Sequence, residues 1–474
     1  MDMTDRARGL IVSAPRSGSG KTVVTIGLQR ALARRGLRVG GAKTGPDYID
    51  PAFHAVATGR PSCNLDGFAM DPATIAALAA GIAAESDIIV AEGAMGLYDG
   101  LASGAATGAT ADIAAMLGWP VLLVLDASGA AQSLAAVAHG LASFPGAPPV
   151  MGAIVNRCAS PRHRRMVEAG FARIAVPLLG FLPTDARMEM PSRHLGLVQA
   201  GETADLDARI EAMADCVAAH VDLDVVVAGA RSLAGADQGS SSPRRRGSIN
   251  STVALPASRV ASLDPPLRGD DERVEGAAPF LRPPGQRIAV ARDAAFAFLY
   301  PHLLDGWRRT GAEMLWFSPL SDEAPPEDAD ACWLPGGYPE LHAGRLAGNV
   351  RFLEGLRQLA ATRPIHGECG GYMVLGQSLT DADGVRHAMA GLLPVETSFA
   401  QRKLNLGYRR VTWREATSFA ERGETHRGHE FHYATVTGGA PGNLAEMADG
   451  EGNPLPMAGH REGRVTGSFF HLIA

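Results

Sequence analysis

The chain has 474 residues, more than one compact core usually holds, so two or three domains are expected. Its 44 basic and 50 acidic residues give a net charge of −6, which disfavours nucleic acid and anionic membranes as partners. The five cysteines form no CxxC pair, and no apolar stretch approaches the roughly 20 residues that span a bilayer. We therefore expect a cytoplasmic protein with neither a disulfide framework nor a zinc site.

The first 230 residues alternate short apolar runs with alanine-rich stretches of helical spacing. Five of the runs predict buried strands: GLIVSA, DIIVAEG, VLLVLDA, VMGAIVN and VPLLGFLP. Buried strands separated by helices are typical of a parallel sheet with helices on both faces. We predict one α/β domain over residues 1–230.

A glycine-rich loop follows the first of these strands, in LIVSAPRSGSGKTVVTIGLQRAL. A strand, such a loop and a helix in this order form a P-loop, in which backbone N–H groups and the helix N-terminus bind phosphates. The predicted nucleotide-binding residues are Ser17, Gly18, Ser19, Gly20, Lys21 and Thr22. Lys21 would add charge near the β- and γ-phosphates, and the Thr22 hydroxyl is placed to bind Mg²⁺. Because Pro15 replaces the usual first glycine, the loop is a variant that predicts phosphate binding without specifying the reaction.

A P-loop magnesium ion usually takes one or two carboxylates. Glu92 ends the strand DIIVAEG in the manner of a Walker B acid, and Asp47 follows the second strand in GAKTGPDYIDP. Either carboxylate could instead be an ordinary loop residue. Asn156 and Arg157, at the end of VMGAIVN, resemble the base-recognition position of related P-loop synthetases, although a strand-end turn is equally compatible with asparagine.

Residues 231–285 change to a composition rich in Ser, Pro, Arg and Gly. We predict a linker or insertion there, and we assign no function to the triplet Arg244–Arg246 within it. The run RIAVARD then begins a second α/β series, with AEMLWFS, ADACWLPGG and RPIHGECGG as its later strands and turns. The second domain is predicted to cover residues 286–474.

Cys369 lies in the segment PIHGECGGYMVLG, between a predicted strand and a predicted helix. This GxCxG turn is the cysteine analogue of a nucleophile elbow, and the following helix N-terminus favours the thiolate. Attack on the side-chain carbonyl of glutamine would give a thioester and ammonia. The oxyanion formed on the way needs two N–H donors. We expect them from Gly370 and from the turn LPGGYPE, at Gly337 beside Gly336.

His471, in the terminal segment GSFFHLIA, is the expected base. This half resembles the class I glutamine amidotransferases, which usually carry a glutamate two residues after the histidine to orient it. Here that position is Ile473, so the third member of the triad is unassigned. Glu430 in RGHEFHY is one substitute, but His429, Glu430 and His432 could equally form a structural cluster or shape the glutamine pocket.

Four segments resemble the corrinoid a,c-diamide synthases in order and spacing: APRSGSGKT, KTGPDYIDPAFHAVATGRPSCNLD, EGAMGLYDG and HLGLVQAGE. The resemblance implies a first domain similar to dethiobiotin synthetase and a second of the class I glutamine amidotransferase type. It implies amidation of the a and c carboxylates of hydrogenobyrinic or cobyrinic acid, for cobalamin biosynthesis, with ATP, Mg²⁺ and glutamine, through acyl phosphates. The substrate-binding residues that it implies are Lys43, Tyr48, Asp50 and Asp99. A loop aromatic that covers the sheet is an equal alternative for Tyr48.

Three other functions compete with this interpretation. Cobyric acid synthase shares the domain order but does not carry PDYIDP followed by NLD, and nickel-sirohydrochlorin a,c-diamide synthase acts on a related ring. A partition-type ATPase has the same fold, but it carries a signature lysine where Arg16 stands and has no fused amidotransferase. The sequence favours the metal-free ring weakly, and a homodimer is compatible with it.

Overall fold

The structure is a computed structural model that describes residues 7–102, 107–193, 196–197, 199–203, 205–233 and 281–474. The Arg244–Arg246 triplet and most of the predicted linker lie outside these residues. At the two ends of that linker, residues 231–232 pair with the first strand and Leu281 is buried. The structure therefore joins both ends of the predicted linker to folded parts of the chain.

The first half contains a mainly parallel sheet. Its strands are β1 (Arg8–Ser13), β2 (Val39–Thr44), β3 (Ser62–Leu65), β4 (Ile88–Glu92), β5 (Val121–Asp126), β6 (Val150–Asn156), β7 (Leu178–Phe181) and the antiparallel β10 (Arg231–Ser232), while β8 (Ser192–Arg193) and β9 (Gly196–Leu197) form a separate hairpin. The sheet order is β3-β2-β4-β1-β5-β6-β7, with β10 paired to β1. The five predicted strands are confirmed as β1, β4, β5, β6 and β7. Ligands of such sheets bind at the carboxyl ends of the strands.

In the described part of the chain, six helices connect these parallel strands, and two more follow the last of them. They are α1 (Lys21–Arg34), α2 (Asp50–Thr58), α3 (Pro72–Ala84), α4 (Thr110–Leu117), α5 (Ser133–Ser143), α6 (Pro161–Phe171), α7 (Leu206–His220) and α8 (Leu223–Gly229). Local sequence sets several of their starts: the side chains of Asp71 and Ser160 cap α3 and α6, and a proline follows each cap. The start of α1 has no side-chain cap, so its N–H groups are available to a ligand.

The second half contains three sheets. Its strands are β11 (Arg287–Ala291), β12 (Glu313–Phe317), β13 (Ala331–Leu334), β14 (Ile365–Glu368), β15 (Ser378–Thr380), β16 (Arg386–Ala388), β17 (Val395–Ser398), β18 (Asn405–Trp413), β19 (Thr425–His432), β20 (Thr435–Gly439), β21 (Ala445–Asp449), β22 (Pro454–Ala458), β23 (His460–Glu462), β24 (Val465–Ser468) and β25 (His471–Leu472). The central sheet has the order β12-β11-β13-β14-β24-β23 and is parallel except for β23. The other two have the orders β16-β15-β17-β20 and β22-β21-β18-β19-β25.

Four helices accompany the central sheet: α9 (Pro301–Arg309), α10 (Ala343–Gly348), α11 (Val350–Ala360) and α12 (Gly370–Leu375). The nucleophile turn joins β14 to α12, as predicted. The base lies on the short β25, which pairs with β19. Because β19 also contacts the first half of the chain, this pairing brings the glutamine site towards the phosphate loop.

The two halves are joined by specific polar and aromatic contacts. The Tyr300 hydroxyl donates to Pro46 O at 2.8 Å, and the Tyr408 hydroxyl donates to Asp66 Oδ2 at 3.0 Å. The Tyr408 ring stacks on Phe68 with 4.4 Å between centroids. These contacts fix the second half against the loops that follow β2 and β3. Among the described residues, no helix is long and apolar enough to cross a membrane.

Candidate active sites

A cavity of about 880 Å³ lies between the phosphate loop and the second half. Its lining includes predicted nucleotide-, metal- and substrate-binding residues: Ser17, Gly18, Gly20, Lys21, Thr22, Lys43, Asp47, Asp50, Glu92, Asp99, Asn156 and Arg157. The second half contributes a wall that the motifs did not predict, made by Leu406, Gly407, Tyr408, His429 and Phe431. The volume is in the range of ligand pockets, which run to about 1,000 Å³.

The phosphate loop has the backbone shape that a phosphate ligand needs. Gly18 and Gly20 have φ of 79° and 94°, which side chains rarely adopt. A Cβ on Gly20 would lie 2.1 Å from Asn156 Nδ2, so the side chain of any other residue would clash with Asn156. With α1 beginning at Lys21, the loop forms a cradle of backbone that fits a phosphate group.

Lys21 points back over this loop. Its Nζ donates to Met95 O at 2.5 Å and to Arg16 O at 3.3 Å. Burial, and then the neighbouring charge of Lys43, lower the pKa of Lys21 to about 8. A phosphate beside the ammonium would favour its charged form, so this side chain suits an anionic ligand.

Glu92 sits at the centre of a buried polar network at the end of β4. Thr22 Oγ1 donates to Glu92 Oε1 at 2.6 Å, Lys43 Nζ lies 3.0 Å from the same oxygen, and His54 Nε2 lies 2.9 Å from Oε2. Burial alone would raise the pKa of Glu92, but Lys43 and His54 outweigh it and hold that pKa below its usual range. Glu92 is therefore an anion with both oxygens in contact with protein groups.

Lys43 and Asp50, both expected to face the substrate, are paired with each other. Lys43 Nζ donates to Asp50 Oδ2 at 2.6 Å, and both side chains are almost completely buried. Burial would lower the pKa of Lys43, but the charges of Asp50 and Glu92 raise it above its ordinary value. Asp47 Oδ1 accepts hydrogen bonds from the N–H groups of Ile49 and Asp50, so one of its oxygens holds the start of α2.

Asn156 and Arg157 support the phosphate loop through their side chains. Asn156 Nδ2 donates to Ser19 O at 3.1 Å, and Arg157 Nη1 donates to Gly18 O at 3.0 Å and to Asp126 Oδ2 at 2.8 Å. These hydrogen bonds use the side-chain N–H groups of Asn156 and Arg157 that we expected to bind a nucleotide base. Both residues still line the cavity.

Two predicted substrate residues differ in position. Asp99 lines the cavity, where its Oδ2 accepts from Gly96 N at 2.7 Å. Tyr48 does not line the cavity: it is 5% exposed, and its ring stacks on Phe298 with 4.0 Å between centroids. The expected face for a macrocycle is therefore covered by Phe298 of the second half, and the other ring contacts of Tyr48, with Tyr300, His429 and His471, are also to that half.

Cys369 occupies the strained turn that the GxCxG pattern predicts. Its φ of 46° and ψ of −103° lie outside the regions that ordinary residues favour. A Cβ on Gly336 would lie 2.5 Å from His471 Cε1 and 3.2 Å from Cys369 Cβ. The cysteine and the histidine therefore both lie beside Gly336, although neither ring nitrogen of His471 forms a hydrogen bond with a described residue.

The two predicted oxyanion donors are neighbours. A Cβ on Gly370 would lie 3.0 Å from Gly337 N, and the Gly370 N–H is near enough to the Cys369 sulfur to act against the rise in its pKa. We expected the helix N-terminus to favour the thiolate, but burial dominates: with Glu340 nearby, it raises the pKa of Cys369 well above its ordinary value. In this state the nucleophile is a thiol.

Glu368 is the acidic residue nearest to the base among the described residues, and the motif analysis missed it. Its Oε2 lies 3.8 Å from His471 Nδ1, and its Oε1 accepts from Leu472 N at 2.8 Å. Burial raises the pKa of Glu368 to about 8. The suggested substitute Glu430 is instead paired with Arg409 at 2.7 Å. The available signal was the position of Glu368 directly before the nucleophile.

A phosphate loop beside a cysteine–histidine pair defines a class, the nucleotide-dependent glutamine amidotransferases. Residues 10–198 match the family described as the CobQ/CobB/MinD/ParA nucleotide binding domain. Residues 287–474 match the family described as the CobB/CobQ-like glutamine amidotransferase domain. The predicted fold class is thereby confirmed for both halves.

Curated relatives that match the whole chain share one name, hydrogenobyrinate a,c-diamide synthase. That of Rhodobacter capsulatus is 51% identical over 474 residues and covers 100% of both chains. Those of Mesorhizobium japonicum and Agrobacterium fabrum are each 49% identical over 472 residues and cover 99% of both chains. The chain belongs to the hydrogenobyrinate a,c-diamide synthase family. The predicted family and the predicted glutamine-using ligase are confirmed.

Proposed function

We propose that the protein amidates the a and c carboxylates of hydrogenobyrinate with ATP and the ammonia of glutamine. The observation that carries the proposal is the shared cavity: the phosphate loop faces a wall from the same half that holds Cys369 and His471. The names of the full-length relatives support the identity of the ring. We favour the metal-free ring over cobyrinate for the same reason.

In the first half, the reaction is the activation of a carboxylate. Transfer of the γ-phosphoryl group of ATP to a ring carboxylate gives an acyl phosphate, and ammonia then attacks its carbonyl carbon and releases phosphate. Phosphoryl transfer depends mainly on positioning and on neutralised charge. The residues that we propose for this task are the loop amides from Ser17 to Thr22, Lys21 and the buried Lys43 beside Asp50.

Magnesium would neutralise phosphate charge at this site and orient the transferred group. The oxygens of Thr22, Asp47 and Glu92 suit this hard cation, because it prefers hydroxyl, carboxylate and water ligands. Since the Glu92 oxygens contact Thr22, Lys43 and His54, this carboxylate would reach the ion through a water molecule or by releasing the Thr22 hydroxyl.

In the second half, His471 takes the proton of the Cys369 thiol as the sulfur attacks glutamine. The N–H groups of Gly337 and Gly370 stabilise the oxyanion, and the proton on His471 leaves with ammonia. Water then hydrolyses the thioester and releases glutamate. We propose that Glu368 holds His471 in orientation, which is the role of the glutamate missing at Ile473.

Mass spectrometry of the ring product tests the proposed function. Protein incubated with Mg-ATP, glutamine and hydrogenobyrinate should add two amides, and cobyrinate and nickel sirohydrochlorin serve as competing substrates. Cys369→Ala should lose activity with glutamine and keep it with ammonium chloride. If none of the rings gains an amide even with ammonium chloride, the proposed function is wrong. In a parallel incubation with cobyrinate a,c-diamide, four additions would instead indicate a cobyric acid synthase.

A further inference from the structure

His429 borders both reaction sites. It lines the cavity beside the phosphate loop, and its ring centroid lies 5.2 Å from that of His471. Tyr48 lies beside it: its ring centroid is 5.8 Å from that of His429 and 5.2 Å from that of His471. Its neighbour in the chain, Asp47, lines the cavity. His429 therefore borders the cavity on one side and the base of the glutamine site on the other, with Tyr48 packed beside it; we call Tyr48 and His429 the intersite wall.

The Tyr48 hydroxyl is buried without a hydrogen-bond partner among the described residues. The residue is 5% exposed, and its Oη forms no hydrogen bond with any described group. Buried polar groups in proteins are nearly always hydrogen-bonded, so this exception calls for an explanation. The neighbouring Tyr300 hydroxyl, by contrast, donates to Pro46 O at 2.8 Å. A small ligand that passes Tyr48 would supply the missing hydrogen bond.

The intersite wall is uncharged. Burial, and then the charge of Arg409, lower the pKa of His429 to about 3, so its imidazole is neutral. Tyr48 is also uncharged, because a tyrosine side chain, with an ordinary pKa of about 10, is a phenol at neutral pH. A neutral molecule with one acceptor and several donor positions suits such a wall, whereas a cation would lose its hydration without gaining a counter-charge. Ammonia fits this description, and ammonium and glutamate do not.

We propose that ammonia released at Cys369 crosses to the ATP cavity between Tyr48 and His429, and that the Tyr48 hydroxyl binds it on the way. The inference rests on the proposed function, because it needs an acceptor for ammonia in the cavity. No covalent bond changes during the crossing: the C–N bond of glutamine has broken at Cys369, and the new bond forms only at the activated carboxylate. Tyr48 is thus a positioning residue for ammonia and not a residue of the synthetase chemistry.

The test measures whether the nitrogen of the new amides comes from glutamine or from ammonium chloride in solution. Wild-type protein is given glutamine labelled with ¹⁵N in its amide, together with excess unlabelled ammonium chloride, Mg-ATP and hydrogenobyrinate. If ammonia crosses the intersite wall, most new amides should carry ¹⁵N and one glutamate should form per amide. Tyr48→Phe keeps the ring against Phe298 and removes the hydroxyl. We expect it to lose at least half of the ¹⁵N from the product and to form at least two glutamates per amide.

Two controls make the outcome decisive. Tyr98→Phe removes a hydroxyl that already donates to Leu141 O and that belongs neither to the cavity lining nor to the intersite wall, and it should keep the wild-type label and ratio. The rate with ammonium chloride alone should stay within twofold of wild type in Tyr48→Phe. An unchanged label in that variant, or an equal loss of its ammonium-driven rate, would overturn the inference. Failure of the proposed function is distinct, since wild-type protein would then form no amide from ammonium chloride.

Discussion

Glu368→Gln separates a positioning role in catalysis from a merely structural one. The substitution keeps the size of the side chain and an oxygen that can accept from Leu472 N, the hydrogen bond seen at 2.8 Å. It removes only the negative charge, 3.8 Å from His471 Nδ1. That charge matters when His471 has taken the proton of Cys369 and become an imidazolium.

The magnitude follows from the distance and from burial. At 3.8 Å and an effective dielectric constant of about 20, a carboxylate stabilises an imidazolium by about 4 kcal/mol. Glu368 must first be ionised, and with a pKa of about 8 this costs about 1.4 kcal/mol at pH 7. The net stabilisation is about 3 kcal/mol, so Glu368→Gln should slow glutamine hydrolysis on the order of 100-fold.

The assay is glutamate release at saturating glutamine, measured as kcat from pH 6.5 to 9.5. Because the charged form of Glu368 is the useful one and its pKa is raised, wild-type kcat should rise as the pH increases through about 8. The rise should be absent in Glu368→Gln. Ammonium-driven amidation should be unchanged in this variant. Glu430→Gln is the matched control, since Glu430 is held by Arg409, and it should retain the rise with pH.

Two results would refute this reasoning. One is a kcat for Glu368→Gln within threefold of wild type at pH 7, which would mean that the carboxylate does not act on His471. The other is an equal loss of the ammonium-driven rate, which would show that the substitution disturbs the fold of the whole chain. Loss of the rise with pH in Glu430→Gln alone would transfer the role to that residue.

Three further predictions concern the loops of the two sites. Gly336→Ala should reduce glutamine-driven activity at least tenfold and spare ammonium-driven activity, since its Cβ would lie 2.5 Å from His471 Cε1; Gly348→Ala, where a Cβ meets nothing within 4 Å, is the control. Gly20→Ala should weaken binding of an ATP analogue at least tenfold in calorimetry, because φ there is 94°; unchanged affinity would contradict the proposed cradle. Because burial lowers the pKa of Lys21 to about 8, analogue affinity should fall about tenfold between pH 7 and pH 9, as the charged form is lost. A flat profile would mean that Lys21 does not meet the phosphates.

The sequence predicts the two parallel sheets because their strands are continuous apolar runs. Strands such as β4 and β5 are buried along their whole length or nearly so, and their hydrophobicity is a local property. The other two sheets of the second half, one mixed and one antiparallel, were not predicted. Strand β18, for example, has mostly half-exposed residues with no clear alternation. Its place depends on pairing with β19 and β21, which follow it in the chain, and not on its own apolar pattern.

The site residues also divide into those that a short local motif predicts and those that meet only in the folded chain. The phosphate loop and the cysteine turn depend on short motifs, in which local backbone shape and chemistry coincide. Glu368 and His471 are more than 100 residues apart and meet only because β14 pairs with β24, which ends just before the base. Tyr48 was interpreted from its own loop alone. Its ring is covered by Phe298, and no local pattern around Tyr48 encodes that contact.

Burial keeps ionisable groups uncharged both in the glutamine site and in the intersite wall. It raises the pKa of Cys369 and lowers that of His471, so the resting pair consists of a neutral thiol and a neutral imidazole. The short helix α12 cannot offset this effect, because its N-terminal partial charge is small beside the loss of hydration. The reactive ion pair must therefore form when glutamine binds and its oxyanion meets the N–H groups of Gly337 and Gly370. The same dry surroundings keep the released nitrogen as neutral ammonia, the form that can attack an acyl phosphate.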